Sequence, residues 1–149
     1  MVGVAARGVI TRRPSARSLV CVALAVFFAA AGIAHFTHTD AFAAIVPPPL
    51  PFKREIVLAT GVMELGFAVG LLVPKWRRVT GWLLAAFLLA VLPANVFMAL
   101  EGMPLGVLES RAALWGRVAL QFPLIGVVLW GCRSIRMRNA SQLVHKLQL

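Results

Sequence analysis

Four side chains that can carry charge or donate hydrogen bonds, Glu64, Asn95, Arg117 and Gln121, interrupt three otherwise apolar runs of this 149-residue chain. A carboxylate at the centre of a bilayer costs about 2.5–3.5 kcal/mol on insertion scales, so such a group turns toward a protein interior or a polar cavity. Spacing aligns the set. Thr60 and Glu64 are i, i+4 neighbours on a helix, and so are Arg117 and Gln121, so each helix presents one polar stripe. The simplest arrangement is a Glu64–Arg117 ion pair, with Asn95 and Gln121 satisfying the remaining donors and acceptors. That chemistry has two uses. It locks the register of packed helices, or it forms a site in which Arg117 and Gln121 hold a carbonyl or anionic oxygen, Asn95 donates a hydrogen bond and Glu64 orients Arg117 or carries a proton. His35 and Glu101 stand near the rim of the same region, and His35 is the candidate proton carrier at its mouth.

The elements that must position these groups follow from composition. The chain is 60% hydrophobic and only 13% charged, against roughly a quarter charged in soluble domains, which excludes the soluble class. Four apolar segments, Leu19–Phe36, Ile56–Val73, Val79–Leu100 and Ala112–Cys132, approach the roughly 20 residues that cross a hydrocarbon core as a helix. None shows the alternation of a barrel strand. The expectation is an all-α integral membrane protein, a four-helix up-down bundle over residues 18–132, flanked by a basic arm (1–17) and a basic tail (133–149). Counted inward at 1.5 Å per residue, Asn95 and Arg117 lie roughly 7–8 Å below the outer edge, and Glu64 and Gln121 roughly 12–14 Å.

Net charge is +10. The charges gather between the apolar runs, which points to topogenic Arg and Lys and away from nucleic acid. Eleven basic residues fall on the arm, the second loop (Lys75, Arg77, Arg78) and the tail, against three, Lys53, Arg54 and Arg111, on the other loops. The positive-inside rule then places both termini in the cytoplasm. The first span also fits a signal peptide, with Thr11-Arg12-Arg13 as a faint twin-arginine hint, although cleavage would remove one helix of four and the tether of His35. Asn139-Ala140-Ser141 matches the glycosylation pattern by chance if the tail is cytoplasmic.

Several smaller features shape the expected packing. Asp40 to Val46 reads as a short helical turn, and the Pro47–Pro51 run favours extended polyproline, either a spacer or a cover over the bundle mouth. Pro93 should kink the third span two residues before Asn95. Gly66 and Gly70 form a GxxxG, and Ala25, Ala29 and Gly32 line a second small-residue face. Trp76, Trp82, Trp115 and Trp130 sit where interface anchors belong. Cys21 and Cys132 read as small packing residues, a redox pair between first and last helices being the alternative. No clustered His or CxxC supports a metal site.

Taken together, His35-Phe36, Ile45-Val46-Pro47-Pro48 with Leu50-Pro51, Gly61-Val62-Met63-Glu64-Leu65, Gly70-Leu71-Leu72, Pro93-Ala94-Asn95 and Arg117-x-x-x-Gln121 resemble the DoxX-like four-helix membrane proteins, over residues 32 to 125. The resemblance implies an up-down bundle in a bacterial inner membrane with these polar residues converging between helices, and a link to membrane redox or oxidative stress. The spans hold no haem-ligand pair or nucleotide loop, so no cofactor is identified and an enzymatic role is left open. The leading expectation is an accessory membrane protein binding a small, partly apolar ligand (quinone, lipid or sulfur species) through Glu64, Asn95, Arg117, Gln121, His35 and Thr60. Its rivals are a non-catalytic scaffold joined to a membrane partner or to a second copy, and a small proton-coupled transporter.

Overall fold

The computed structural model describes residues 15–103 and 110–133. Most of the basic arm and tail, the Asn139 sequon and the Thr11-Arg12-Arg13 motif lie outside the described residues. Within them the chain is helical, with no strand: α1 (Ala16–Thr37), α2 (Thr39–Ala44), α3 (Lys53–Leu72), α4 (Arg77–Glu101) and α5 (Arg111–Cys132). The four long helices start a few residues before their apolar runs because polar flanks begin them. The side chain of Ser15 accepts from the Ser18 N–H, and Ser110 accepts from Ala113, each satisfying an orphan first-turn donor. Gly102, at φ 66°, closes α4 in the left-handed conformation that favours glycine. Pro93 and Pro123 lie inside continuous helices.

All four long helices have the length and hydropathy of membrane spans. Their outward faces are apolar as well: Val26, Phe27, Ile33, Val69, Leu83, Leu89, Leu120 and Phe122 are all exposed. Apolar exposure on that scale has no place in water and suits lipid. All four tryptophans are exposed too. This is a membrane protein.

One apolar core draws on every long helix: Cys21, Leu24, Ala25 and Phe28 from α1, Ala68 and Leu71 from α3, Leu84, Phe87 and Leu88 from α4, and Val128 and Cys132 from α5. Removing α1, as signal cleavage would, strips this core of Cys21 and Phe28, both almost fully buried. The helices are not packed uniformly. Contact is most extensive between α1 and α3 and between α4 and α5, while α1–α5 and α3–α4 join the two pairs. The α1–α3 seam depends on glycines. A Cβ on Gly61 would lie 2.8 Å from His35 Cβ and 3.2 Å from the Gly32 carbonyl, and one on Gly32 would lie 3.0 Å from the Gly61 carbonyl. The two backbones therefore nearly touch, as small residues permit in membranes. Ala25 and Ala29 continue this small face into the core. The expected Gly66–Gly70 seam is only half used: Gly70 packs against Thr80, whereas Gly66 faces outward with nothing near it.

The first loop folds inward. α2 is a six-residue helix, and beyond it Ile45 and Val46 are buried, Ile45 packing with Met98, Ala99, Leu114 and Val118 of α4 and α5. The loop thus covers one end of the molecule. The proline run does not stay extended, because the Leu50 N–H donates to the Pro47 carbonyl across a tight turn. Phe52, exposed and at φ 56°, then enters α3 from a left-handed conformation that non-glycine residues rarely adopt. Arg54 and Asp40 form an exposed ion pair of 2.5 Å linking α3 to α2.

Candidate functional site

Gly32 and Gly61 stand three residues before His35 and Glu64 respectively. On a helix that offset is one turn along the same side, so the glycine crossing delivers the imidazole and the carboxylate to each other. His35 Nδ1 lies 3.3 Å from Glu64 Oε2. The same nitrogen lies 2.9 Å from the Ala31 carbonyl, which can only accept. Nδ1 therefore carries the proton and gives it to Ala31. One N–H faces two acceptors, and Glu64 Oε2, a buried atom, is left without a hydrogen bond among the described residues. A buried oxygen in that condition is costly and calls for a donor. His35 is held from its other sides, stacked on Phe42 of α2 with ring centroids 4.2 Å apart and with its carbonyl accepting from the Thr39 hydroxyl at 2.8 Å.

The second polar group joins α4 to α5 and is complete. Asn95 donates through Nδ2 to Gln121 Oε1 at 3.0 Å, and Gln121 donates through Nε2 to the Leu88 carbonyl. Pro93 lacks the N–H that would meet the Leu89 carbonyl. The carbonyl used by Gln121 belongs to the residue just before, in the turn that the proline weakens. Gln121, only 5% exposed, thus ties α5 to α4 in that turn.

The structure does not form the expected Glu64–Arg117 ion pair. Among the described residues the acid–base contacts are His35–Glu64, an ion pair only when the imidazole is protonated, and Asp40–Arg54. The reason is topological. α3 and α5 share no extensive contact and lie across the molecule from each other, so the two groups lie near one another without touching. Arg117 is half-buried and makes no hydrogen bond with a described residue. Thr60 is turned to its own helix, its hydroxyl donating to Val57 at 2.8 Å, and Glu101 is exposed. Among the described residues the six expected site residues therefore separate into a satisfied amide pair (Asn95, Gln121), an unsatisfied carboxylate beside His35, a guanidinium with no partner, and a threonine absorbed by backbone.

Phe42 was not anticipated as a site residue. Its signal was an aromatic in a short apolar helix, which reads equally as packing. The thiols of Cys21 and Cys132 are buried neighbours across α1 and α5 and remain free, Cys21 donating to the Gly131 carbonyl at 3.5 Å. Among the described residues no group of three or more His, Cys, Asp or Glu gathers to hold a metal.

Neither the curated proteins nor the solved structures give a match to the chain. Residues 24–132 match a family described as Domain of unknown function (DUF8561), an interval running from the middle of α1 to the last residue of α5 and including His35, Glu64, Asn95, Arg117 and Gln121. This chain belongs to the DUF8561 family.

Proposed function

We propose that the chain is a small bacterial inner-membrane protein of DoxX-like kinship, an up-down bundle with both termini cytoplasmic, that binds a small, partly apolar molecule through Glu64 and Arg117. One observation carries this reading: the buried, unsatisfied Oε2 of Glu64, with the nearby charge of Arg117 out of reach. An acceptor and a donor fork that lie near each other without contact match a ligand head that offers a hydroxyl to Glu64 and a carbonyl or anionic oxygen to Arg117. A lipid head with a hydroxyl and a phosphate has both halves of that chemistry, a quinol supplies the hydroxyl for Glu64, and a quinone or a sulfur oxyanion supplies the oxygen for Arg117. The apolar helices around it favour a ligand that is itself partly apolar. His35, aligned by Ala31 and Phe42, is the group that would exchange a proton with Glu64, and any link to membrane redox would pass through that pair. Asn95 and Gln121 fix the α4–α5 frame on which Arg117 stands.

The test is native mass spectrometry, with quinone and lipid extraction, of gently purified wild-type protein and of Glu64→Met. Methionine keeps the length and removes the acceptor. A stoichiometric small molecule in the wild type that is lost in Glu64→Met is the expected result. Wild-type protein that is empty but bound to another membrane protein would instead support a scaffold subunit, a second reading favoured by the closed Asn95–Gln121–Leu88 chain. Orientation is checked by labelling single cysteines placed at Asp40 and at Ser141. Labelling from the periplasm at Ser141 would reverse the topology.

A further inference from the structure

We propose that the basic end of the molecule carries a binding site for one anionic phospholipid, with its phosphate held between α1, α4 and the end of α5 and an acyl chain lying along the α4–α5 groove. Two adjoining cavities form the site. The first, about 400 Å³, is lined by Arg17, Lys75, Arg77, Arg78 and Arg133, with Ser18 among them. The second, about 910 Å³, shares Arg78, Cys132 and Arg133 with it and continues past Gly81, Trp82, Gly126 and Trp130. A polar, cationic basin thus opens into a groove walled by tryptophan and floored by glycine.

No acidic side chain among the described residues neutralises the basin, so an anion from outside the chain fits it. The chain has five acidic side chains, Asp40, Glu55, Glu64, Glu101 and Glu109, and the four that are described stand on α2, on α3 and at the far end of α4, away from the basin. None of the five cations of the basin pairs with a carboxylate among the described residues. The basin is also built, not merely crowded. Arg77 Nε donates to the Leu71 carbonyl at 2.8 Å, and its Nη1 donates to Ser18 Oγ at 3.2 Å, which ties α4 to α1 and fixes the guanidinium at the rim. Arg17 lies over the Trp130 ring, 5.6 Å from its centroid, joining basin to groove. Lys75, Arg78 and Arg133 are exposed and make no such bond with a described residue. Basic pockets between spans take phosphate head groups, and tryptophans belong at that depth. The groove is what selects a lipid over free phosphate. This site is independent of Glu64 and of the ligand proposed there.

The experiment uses full-length protein in nanodiscs of phosphatidylcholine with or without phosphatidylglycerol, followed by native mass spectrometry of retained lipid, with inorganic phosphate as competitor. One phosphatidylglycerol retained per chain in preference to phosphatidylcholine, and not displaced by phosphate, is the expected result. Lys75→Gln, Arg78→Gln and Arg133→Gln combined should weaken retention about a hundredfold, from the attraction typical of each surface cation. Arg77 is left alone because it supports the fold. Gly126→Leu is the second variant: a Cβ there meets nothing within 4 Å, so a side chain can start into the groove from open space, and retention should fall while the melting temperature holds. Equal retention of both lipids, or retention unchanged in the triple variant, overturns the proposal. Displacement by inorganic phosphate together with indifference to Gly126→Leu overturns it in favour of a free-anion site.

Discussion

The α1–α3 and α4–α5 halves solve the same problem, polar groups in an apolar interior, in opposite ways. Between α4 and α5 two neutral amides close a chain onto a backbone carbonyl, Asn95 to Gln121 to Leu88. Between α1 and α3 a carboxylate is brought against an imidazole whose only Nδ1 proton is already given to Ala31, and one oxygen is left unsatisfied. The first arrangement needs nothing further, whereas the second keeps a strong acceptor ready for a donor. Buried polar groups that are fully paired specify packing, and those left partly paired are where a ligand or a proton finds a role.

The sharpest way to break this contrast is to remove what creates the α1–α3 half. Gly61→Leu forces a side chain into the space held by His35 Cβ and the Gly32 carbonyl. It should lower stability by about 3 kcal/mol, the upper end of overpacking costs, and separate His35 from Glu64. Thermal unfolding in detergent measures the effect. The same change at Gly66, which faces open space, should be nearly silent in the monomer.

A smaller effect is expected across α4 and α5. Gln121→Leu leaves the Asn95 amide without its partner and should cost about 1–2 kcal/mol. The double variant with Asn95→Leu should be less harmful than the two singles added together, since both partners are then apolar. Additive losses would show that the amide pair is not a unit. The corresponding cycle in the other half distinguishes two partners for Glu64. His35→Gln with Glu64→Gln should couple by about 0.5–1 kcal/mol, and Arg117→Gln with Glu64→Gln by less. Equal coupling would restore the direct Glu64–Arg117 pair. Least of all, Asp40→Asn or Arg54→Gln should change stability by under about 1 kcal/mol, as for other exposed pairs.

These particulars show what the sequence could and could not convey. The spans were legible because apolar composition at bilayer length has few alternatives, and only their ends moved, by up to three residues, with Ser15 and Ser110 capping two of the four starts. The polar residues were legible because each interrupts an apolar run. Their partners were not. Pairing depends on which helices are neighbours and how each is rotated, and α3 lies beside α1, not α5. The spacing Gly32-x-x-His35 and Gly61-x-x-Glu64 did hold that information, since two close-crossing glycines bring the next turns together. It becomes readable only once the α1–α3 crossing is known. The fate of the proline run was hidden for a similar reason: burial of Ile45 and Val46 pulls the loop over the end of the molecule and turns it at Pro48-Pro49.

The central claim is that Glu64 serves a ligand while Gln121 serves the fold. Glu64→Met and Gln121→Leu, purified side by side in mild detergent, test it through two readings on each sample, the occupancy of the co-purified small molecule and the midpoint of thermal unfolding. Glu64→Met is expected to lose the molecule with its midpoint held or raised, and Gln121→Leu to keep the molecule with its midpoint lowered. Full occupancy in Glu64→Met, or a midpoint that falls further there than in Gln121→Leu, would contradict it.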